Sequence, residues 1–130
     1  MATLYRDIPV ETAAEDAWAA LRDPANVARV FAGVLIDVRT ENELRWVTFA
    51  DGTVIEERVI AVDDAHMRIA YTVVGGRFEH HHATVQVVAQ TPQQCRVVWI
   101  SDFKPDERAS AVEPLMDAGC AALKRNLARQ

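Results

Sequence analysis

Leu44-Arg45-Trp46-Val47-Thr48-Phe49-Ala50-Asp51-Gly52-Thr53-Val54-Ile55-Glu56-Glu57-Arg58-Val59-Ile60-Ala61-Val62 reads as a β-hairpin. Two runs rich in β-branched and aromatic residues, Leu44–Phe49 and Thr53–Val62, flank Asp51-Gly52. Glycine tolerates the positive φ of a tight turn, so Asp-Gly between such runs is a strong hairpin signal. The same chemistry extends both ways, from Gly33 to Phe103. Further runs are Val34–Thr40, Met67–Val74, Glu79–Ala89 and Cys95–Phe103. They are separated by Glu41-Asn42, Asp63-Asp64, Gly75-Gly76 and Thr91-Pro92-Gln93. Consecutive strands with such short connections predict an antiparallel meander, because parallel pairs need long crossovers.

Upstream of the meander, Thr3 to Val10 is strand-like. Thr12 followed three residues later by Glu15 has the form of a capping box. Ala14, Ala17, Trp18 and Leu21 then recur on one helical face. Pro24 ends that helix, since proline disfavours helical backbone at the residue before it. A second short helix is expected from Ala25 to Val30. Downstream, Pro105-Asp106-Glu107 reads as a helix start. Val112, Leu115, Met116, Gly119, Cys120, Leu123 and Leu127 form one apolar stripe, with Lys124, Arg125 and Arg129 near its C-terminal end. Pro114 within it requires the helix to start near that residue or to kink there. The order is strand, two short helices, six strands, one long helix. This is an α+β arrangement in which the last helix covers the apolar face of the sheet. A sheet curled around a single helix leaves space for a cavity.

The 130 residues make one domain, 1–130, with room for one core. Nineteen acidic against fourteen basic residues give a net charge of −5, without the basic excess of a nucleic-acid binder. No apolar run approaches the roughly 20 residues of a membrane span. The opening MATLYRDIPVET has no signal-peptide pattern, so a cytoplasmic location is expected. Cys95 and Cys120 read as small buried apolar groups without a disulfide, and no zinc-type spacing occurs. Gly75-Gly76 is a turn and not a phosphate loop, since no helix with Lys and Ser/Thr follows it. No cofactor is expected.

The chain resembles the polyketide cyclase/dehydrase branch of the START-like, helix-grip superfamily, also called SRPBCC. The resemblance is carried by Ala14 to Asp23, Asp51 to Val59, Asp63-Asp64, Tyr71 to Gly76, Ala83 to Val87, Val97 to Pro105 and Ala121 to Lys124. It implies a helix-grip fold: a curved antiparallel sheet of about seven strands wrapped around a long C-terminal helix, with two short helices after the first strand. It also implies a cavity for a small hydrophobic molecule such as a lipid, polyketide, quinone or aromatic compound. Two positions depart from the common pattern. His81 stands where an aromatic residue usually starts the strand, and Phe31 where a Trp is frequent.

Strand alternation sorts side chains between cavity and solvent. His81, Ala83, Val85, Val87 and Ala89 lie on one face of their strand, and the Val97, Trp99, Ser101, Phe103 set and the Ile69, Tyr71, Val73 set of the other strands are read as facing inward. For Thr53–Val62 the alternation is ambiguous, and the resemblance places Ile55, Glu57 and Val59 inward. The expected ligand-binding set is Trp18, Ile55, Glu57, Tyr71, His81, Ala83, Val85, Trp99, Ser101, Met116, Cys120 and Leu123. Trp46 belongs with Trp18 and Trp99 as core or cavity lining. Glu57 with Tyr71, His81 and Ser101 would form a polar cluster in an apolar cavity. A desolvated Glu57 would be harder to ionise and His81 harder to protonate, which suits general acid/base work. The competing reading pairs Glu57 with a neighbouring base.

His80 and His82 point the same way on a strand, roughly 6.8 Å apart, but no third ligand is in sight, and no metal is expected. Three functional readings follow. The chain binds a small hydrophobic ligand; or it is a cyclase/dehydratase-type enzyme using Glu57 and His81; or it is an interaction module with a collapsed cavity. In the last case outward Val98 and Ile100 would support a homodimer.

Overall fold

The computed structural model describes residues 1–128. Seven strands form one sheet: β1 (Ala2–Val10), β2 (Leu35–Glu41), β3 (Leu44–Phe49), β4 (Val54–Asp63), β5 (Arg68–Val74), β6 (His80–Thr91) and β7 (Gln94–Lys104). Between β1 and β2 lie α1 (Ala14–Leu21), a 3-10 turn (Pro24–Asn26) and α2 (Val27–Val30). After β7 a second 3-10 turn (Asp106–Arg108) leads into α3 (Ala109–Leu127). The spatial order is β1-β7-β6-β5-β4-β3-β2, antiparallel throughout. The meander read from the sequence is therefore β2 to β7. β1 joins it at the far side, with Leu4 opposite Ser101 and Ile8 opposite Val97.

Register shifts in β2, β4 and β6 bend the sheet. Its concave face holds α3, giving the helix-grip fold. At the Asp51-Gly52 turn, Gly52 takes φ 92°. Asp51 Oδ1 accepts the Thr53 N–H at 2.9 Å, which lowers the carboxyl below its usual range. Gly33, between α2 and β2, has φ 104°, and a Cβ there would come within 2.9 Å of Arg125 Nη2. That guanidinium donates to the Ala32 carbonyl at 3.0 Å, and Asn126 Nδ2 donates to the Val30 and Ala32 carbonyls. The last turn of α3 thereby satisfies carbonyls that the end of α2 leaves without helical partners. At its other half α3 is tied to β1, where Arg6 meets Asp117 at 2.7 Å and Glu113 at 2.8 Å.

Several local expectations are corrected. Thr12 and Glu15 form no capping box: Ala13 is the N-cap, no side chain caps α1, and Thr12 is buried. Pro114 does not start α3, which begins upstream at Ala109 and carries the proline inside it. Pro114 and Ser110 are both exposed, so solvent reaches the Ser110 carbonyl that the proline leaves unpaired. Ala89 is exposed, because β6 runs on beyond the elements that cover it. Arg129 lies outside the described residues. Cys95 is buried and Cys120 half-buried, both as free thiols.

The buried side chains form two groups. The larger joins α1, β1, β5, β6, β7 and α3, and the smaller consists of Leu4, Phe103 and Met116. Trp99 and Cys120 pack against both. Among the described residues no helix is long and apolar enough to cross a membrane.

Candidate functional site

Between the concave face and α3 lies a cavity of about 170 Å³. It is not collapsed. Its walls are mostly apolar, including Phe31, Leu35, Val47, Phe49, Ile69, Val85 and Val112. Polar atoms enter from the strands: Arg45, Glu57, Tyr71, His81 and Ser101 all line the cavity. Alternation explains the gathering, because cross-strand partners share a face. Arg45 faces Glu57 directly across β3 and β4, and Ser101 faces Ala83 across β7 and β6.

Arg45 Nε–H donates to Glu57 Oε1 at 2.7 Å, with the two side chains 6% and 13% exposed. Glu57 is thus one half of an enclosed ion pair, and the unpaired, desolvated carboxyl expected for a catalytic base is absent. The guanidinium also lies 5.0 Å from the Tyr71 ring centroid. Its Nη groups make no other hydrogen bond among the described residues, and no buried side-chain polar atom there lacks a partner. The Nη groups are therefore accessible, on a residue that lines the cavity.

Tyr71 accepts a hydrogen bond from Trp99 Nε1–H at 3.2 Å, which leaves its own proton free to be donated. Burial, reinforced by the charge of Glu57, pushes its pKa well up, so the hydroxyl stays protonated. His81 Nδ1 accepts the Val73 backbone N–H at 3.1 Å. In the neutral ring that bond places the proton on Nε2, which lies 3.5 Å from Ser101 Oγ. Burial, and then the neighbouring His82 and His80, bring the His81 pKa down to about 4. His81 is consequently a neutral hydrogen-bond donor at pH 7, with neither nitrogen available as a base.

A pH dependence follows. The unfolded chain binds this proton more tightly, with a pKa near 6.5 against about 4 in the fold. Neutral His81 therefore contributes stability that is complete above pH 6.5 and is lost as pH falls toward 4. His81→Gln should flatten that part of the stability–pH curve, measured by urea unfolding. An unchanged slope would assign the acid loss to other groups.

Of the expected binding residues, Ile55, Glu57, Tyr71, His81, Val85, Trp99, Ser101 and Met116 line the cavity. Trp18, Ala83, Cys120 and Leu123 do not. Trp18 is core, its indole N–H turned to Asp64 Oδ1 at 2.9 Å, where Arg22 also binds. Ala83 and Leu123 are fully enclosed in the core, and Cys120 packs between the two buried groups. Trp46 is on the opposite face of the sheet, stacked under Arg39 at 4.2 Å. His80 is exposed and His82 half-buried, and no cluster of three metal-ligating side chains occurs among the described residues.

Arg45 is the main site residue the sequence reading missed. Its signal was available: Arg45, Val47 and Phe49 alternate on one side of β3, so an arginine shares the face of a buried valine. Phe78 was missed as well. It sits in the loop before β6, its ring tilted against His81 at 5.0 Å and edge-on to Phe103 at 5.5 Å.

The family described as polyketide cyclase/dehydrase and lipid transport matches residues 1–129. The chain belongs to that family. No curated protein matches the sequence. Among solved structures, an uncharacterised protein from Bacillus thuringiensis superposes with a TM-score of 0.87 at 20% identity, over 97% of this chain and 98% of its own. Norcoclaurine synthase from Thalictrum flavum, in complex with dopamine and hydroxybenzaldehyde, gives 0.73 at 18% identity, covering 95% and 84%. The di-domain ARO/CYC BexL of the BE-7585A biosynthetic pathway gives 0.83 at 19%, covering 98% of this chain and 46% of that one. At these identities the likeness establishes the helix-grip fold of the polyketide cyclase/dehydrase family and nothing finer.

Proposed function

We propose that the chain binds a compact apolar molecule and orients it by a carbonyl-type oxygen. The observation that carries this reading is the polar end of the cavity, where Tyr71 O–H, His81 Nε2–H and the Arg45 Nη groups all offer protons. A ligand with an acceptor oxygen gives Tyr71 O–H and the Arg45 Nη groups a partner that a pure hydrocarbon cannot supply, and competes with Ser101 Oγ for His81 Nε2–H. Size points the same way. An apolar cavity of about 150 Å³ accepts benzene, so the volume here suits one or two rings better than a long acyl chain. The norcoclaurine synthase complex, with its two single-ring ligands, is a precedent for this size within the fold.

Acetophenone and ethylbenzene, which differ chiefly in the carbonyl oxygen, test the reading by calorimetry and thermal shift. Acetophenone should bind more tightly and raise the melting temperature. Tyr71→Phe should weaken acetophenone about 5- to 10-fold, the worth of one hydrogen bond, and leave ethylbenzene nearly unchanged. Equal affinity for the two probes would sink the acceptor-oxygen reading, and failure of a broad panel of one- and two-ring compounds would sink ligand binding itself.

The cyclase/dehydratase reading is favoured by the same donors, which would stabilise an enolate oxygen. Proton abstraction would still need a base, and Glu57 is the carboxylate nearest the task only if a ligand loosens its bond to Arg45. Under that reading Glu57→Gln abolishes turnover of a ketone substrate, and normal turnover in the variant would eliminate Glu57 as the base.

A further inference from the structure

Trp99 stands where the two buried groups of side chains meet, and its ring is held on three sides. Phe31 lies 5.5 Å away with the ring planes tilted by 52°. The indole N–H is tied to the Tyr71 hydroxyl. On the third side is α3 at Gly119, where a Cβ would lie 3.0 Å from Trp99 Cζ3 and 3.1 Å from Cη2. Glycine in a helix interior is less stable than alanine, and α3 carries it at a point where a Cβ would press on the indole. Trp99 and Gly119 both line the cavity, so any displacement of the ring away from α3 takes up ligand space.

We infer that Trp99, seated on Gly119, is the residue that limits ligand size, holding the cavity to molecules of one or two rings. This deepens the ligand-binding reading and rests on it. Close packing makes the limit steep, because a cavity wall fixed by three neighbours excludes even one extra group. The two residues act in opposite directions: trimming the indole joins its volume to the cavity, and adding a methyl at position 119 drives the indole inward.

The test uses the full chain with acetophenone as a one-ring probe and anthrone as a three-ring ketone. Wild type should bind acetophenone in preference to anthrone. Trp99→Leu should move the anthrone-to-acetophenone affinity ratio toward anthrone by at least about tenfold, the scale on which one methylene matters in a pocket. Gly119→Ala should weaken acetophenone several-fold while the chain stays folded by circular dichroism. If Trp99→Leu does not fold, Trp99→Phe is measured instead, with a smaller shift in the same direction. An unchanged ratio in a folded Trp99 variant overturns the inference while leaving ligand binding intact. Wild type binding neither probe overturns both.

Discussion

Replacing Arg45 with methionine is expected to lower the unfolding free energy by about 3–5 kcal/mol, the cost of leaving one member of a buried ion pair uncompensated. The pair is enclosed, at 6% and 13% exposure, so water cannot rescue Glu57 as it would at the surface. The opposite single variant, Glu57→Gln, strands the Arg45 guanidinium and should also destabilise, which means that loss of any activity in it must be read beside its stability. The double variant Arg45→Met/Glu57→Leu should recover most of the loss, because neither charge remains to be desolvated. Urea unfolding of wild type, Arg45→Met, Glu57→Leu and the double variant completes the cycle. A single-variant loss below about 1 kcal/mol, the range of exposed pairs, would show that the pair is hydrated through the cavity mouth. The polar end of the cavity would then be a wet site and a weaker determinant of ligand orientation.

Phe103→Ala should cost about 3–5 kcal/mol, the range for deleting an aromatic side chain from a packed core. Phe103 is fully buried beside Leu4 and Met116, and Phe78 meets it edge-on at 5.5 Å. Loss of the ring removes the support for Phe78, which in turn packs against His81. The variant is therefore expected to lose acetophenone affinity as well as stability, although Phe103 itself is not part of the cavity wall. Phe103→Leu, which keeps most of the volume, should cost about 1.5 kcal/mol or less. Denaturant midpoints give the stability change and calorimetry the affinity. Full affinity in folded Phe103→Ala would separate the small buried group from the cavity.

Much of this architecture was legible in the chain. Runs of β-branched residues punctuated by Asp51-Gly52 and Gly75-Gly76 encode strands and turns locally, and strand ends fall within a residue or two of the expected ones. The short connections also fixed antiparallel neighbours from β2 to β7. Inward faces followed from alternation, which is why His81, Trp99, Ser101 and Tyr71 were found together. The errors share one physical cause, namely that a residue's own pattern does not say which other element covers it. Trp18 has core periodicity whether it meets a ligand or Asp64. Thr12 and Glu15 have capping spacing, yet burial of Thr12 decided its side chain otherwise. Trp46 is as apolar as Trp99 and lies on the other face.

The sequence by itself determined the order of elements, the antiparallel meander and the apolar stripe of α3. These depend on period-2 and helical repeats, turn residues and local backbone preferences, all of which act over a few positions. Only the tertiary structure decided the chemistry of the cavity. The pairing of Arg45 with Glu57 depends on strand register, and the donor state of His81 on one backbone N–H from β5. The position of Trp99 depends on the contact it makes with Gly119, a residue remote from it in sequence. Such contacts depend on register and on which element covers a residue, which no single strand's pattern encodes; they place Glu57 in an ion pair and leave His81 a hydrogen-bond donor.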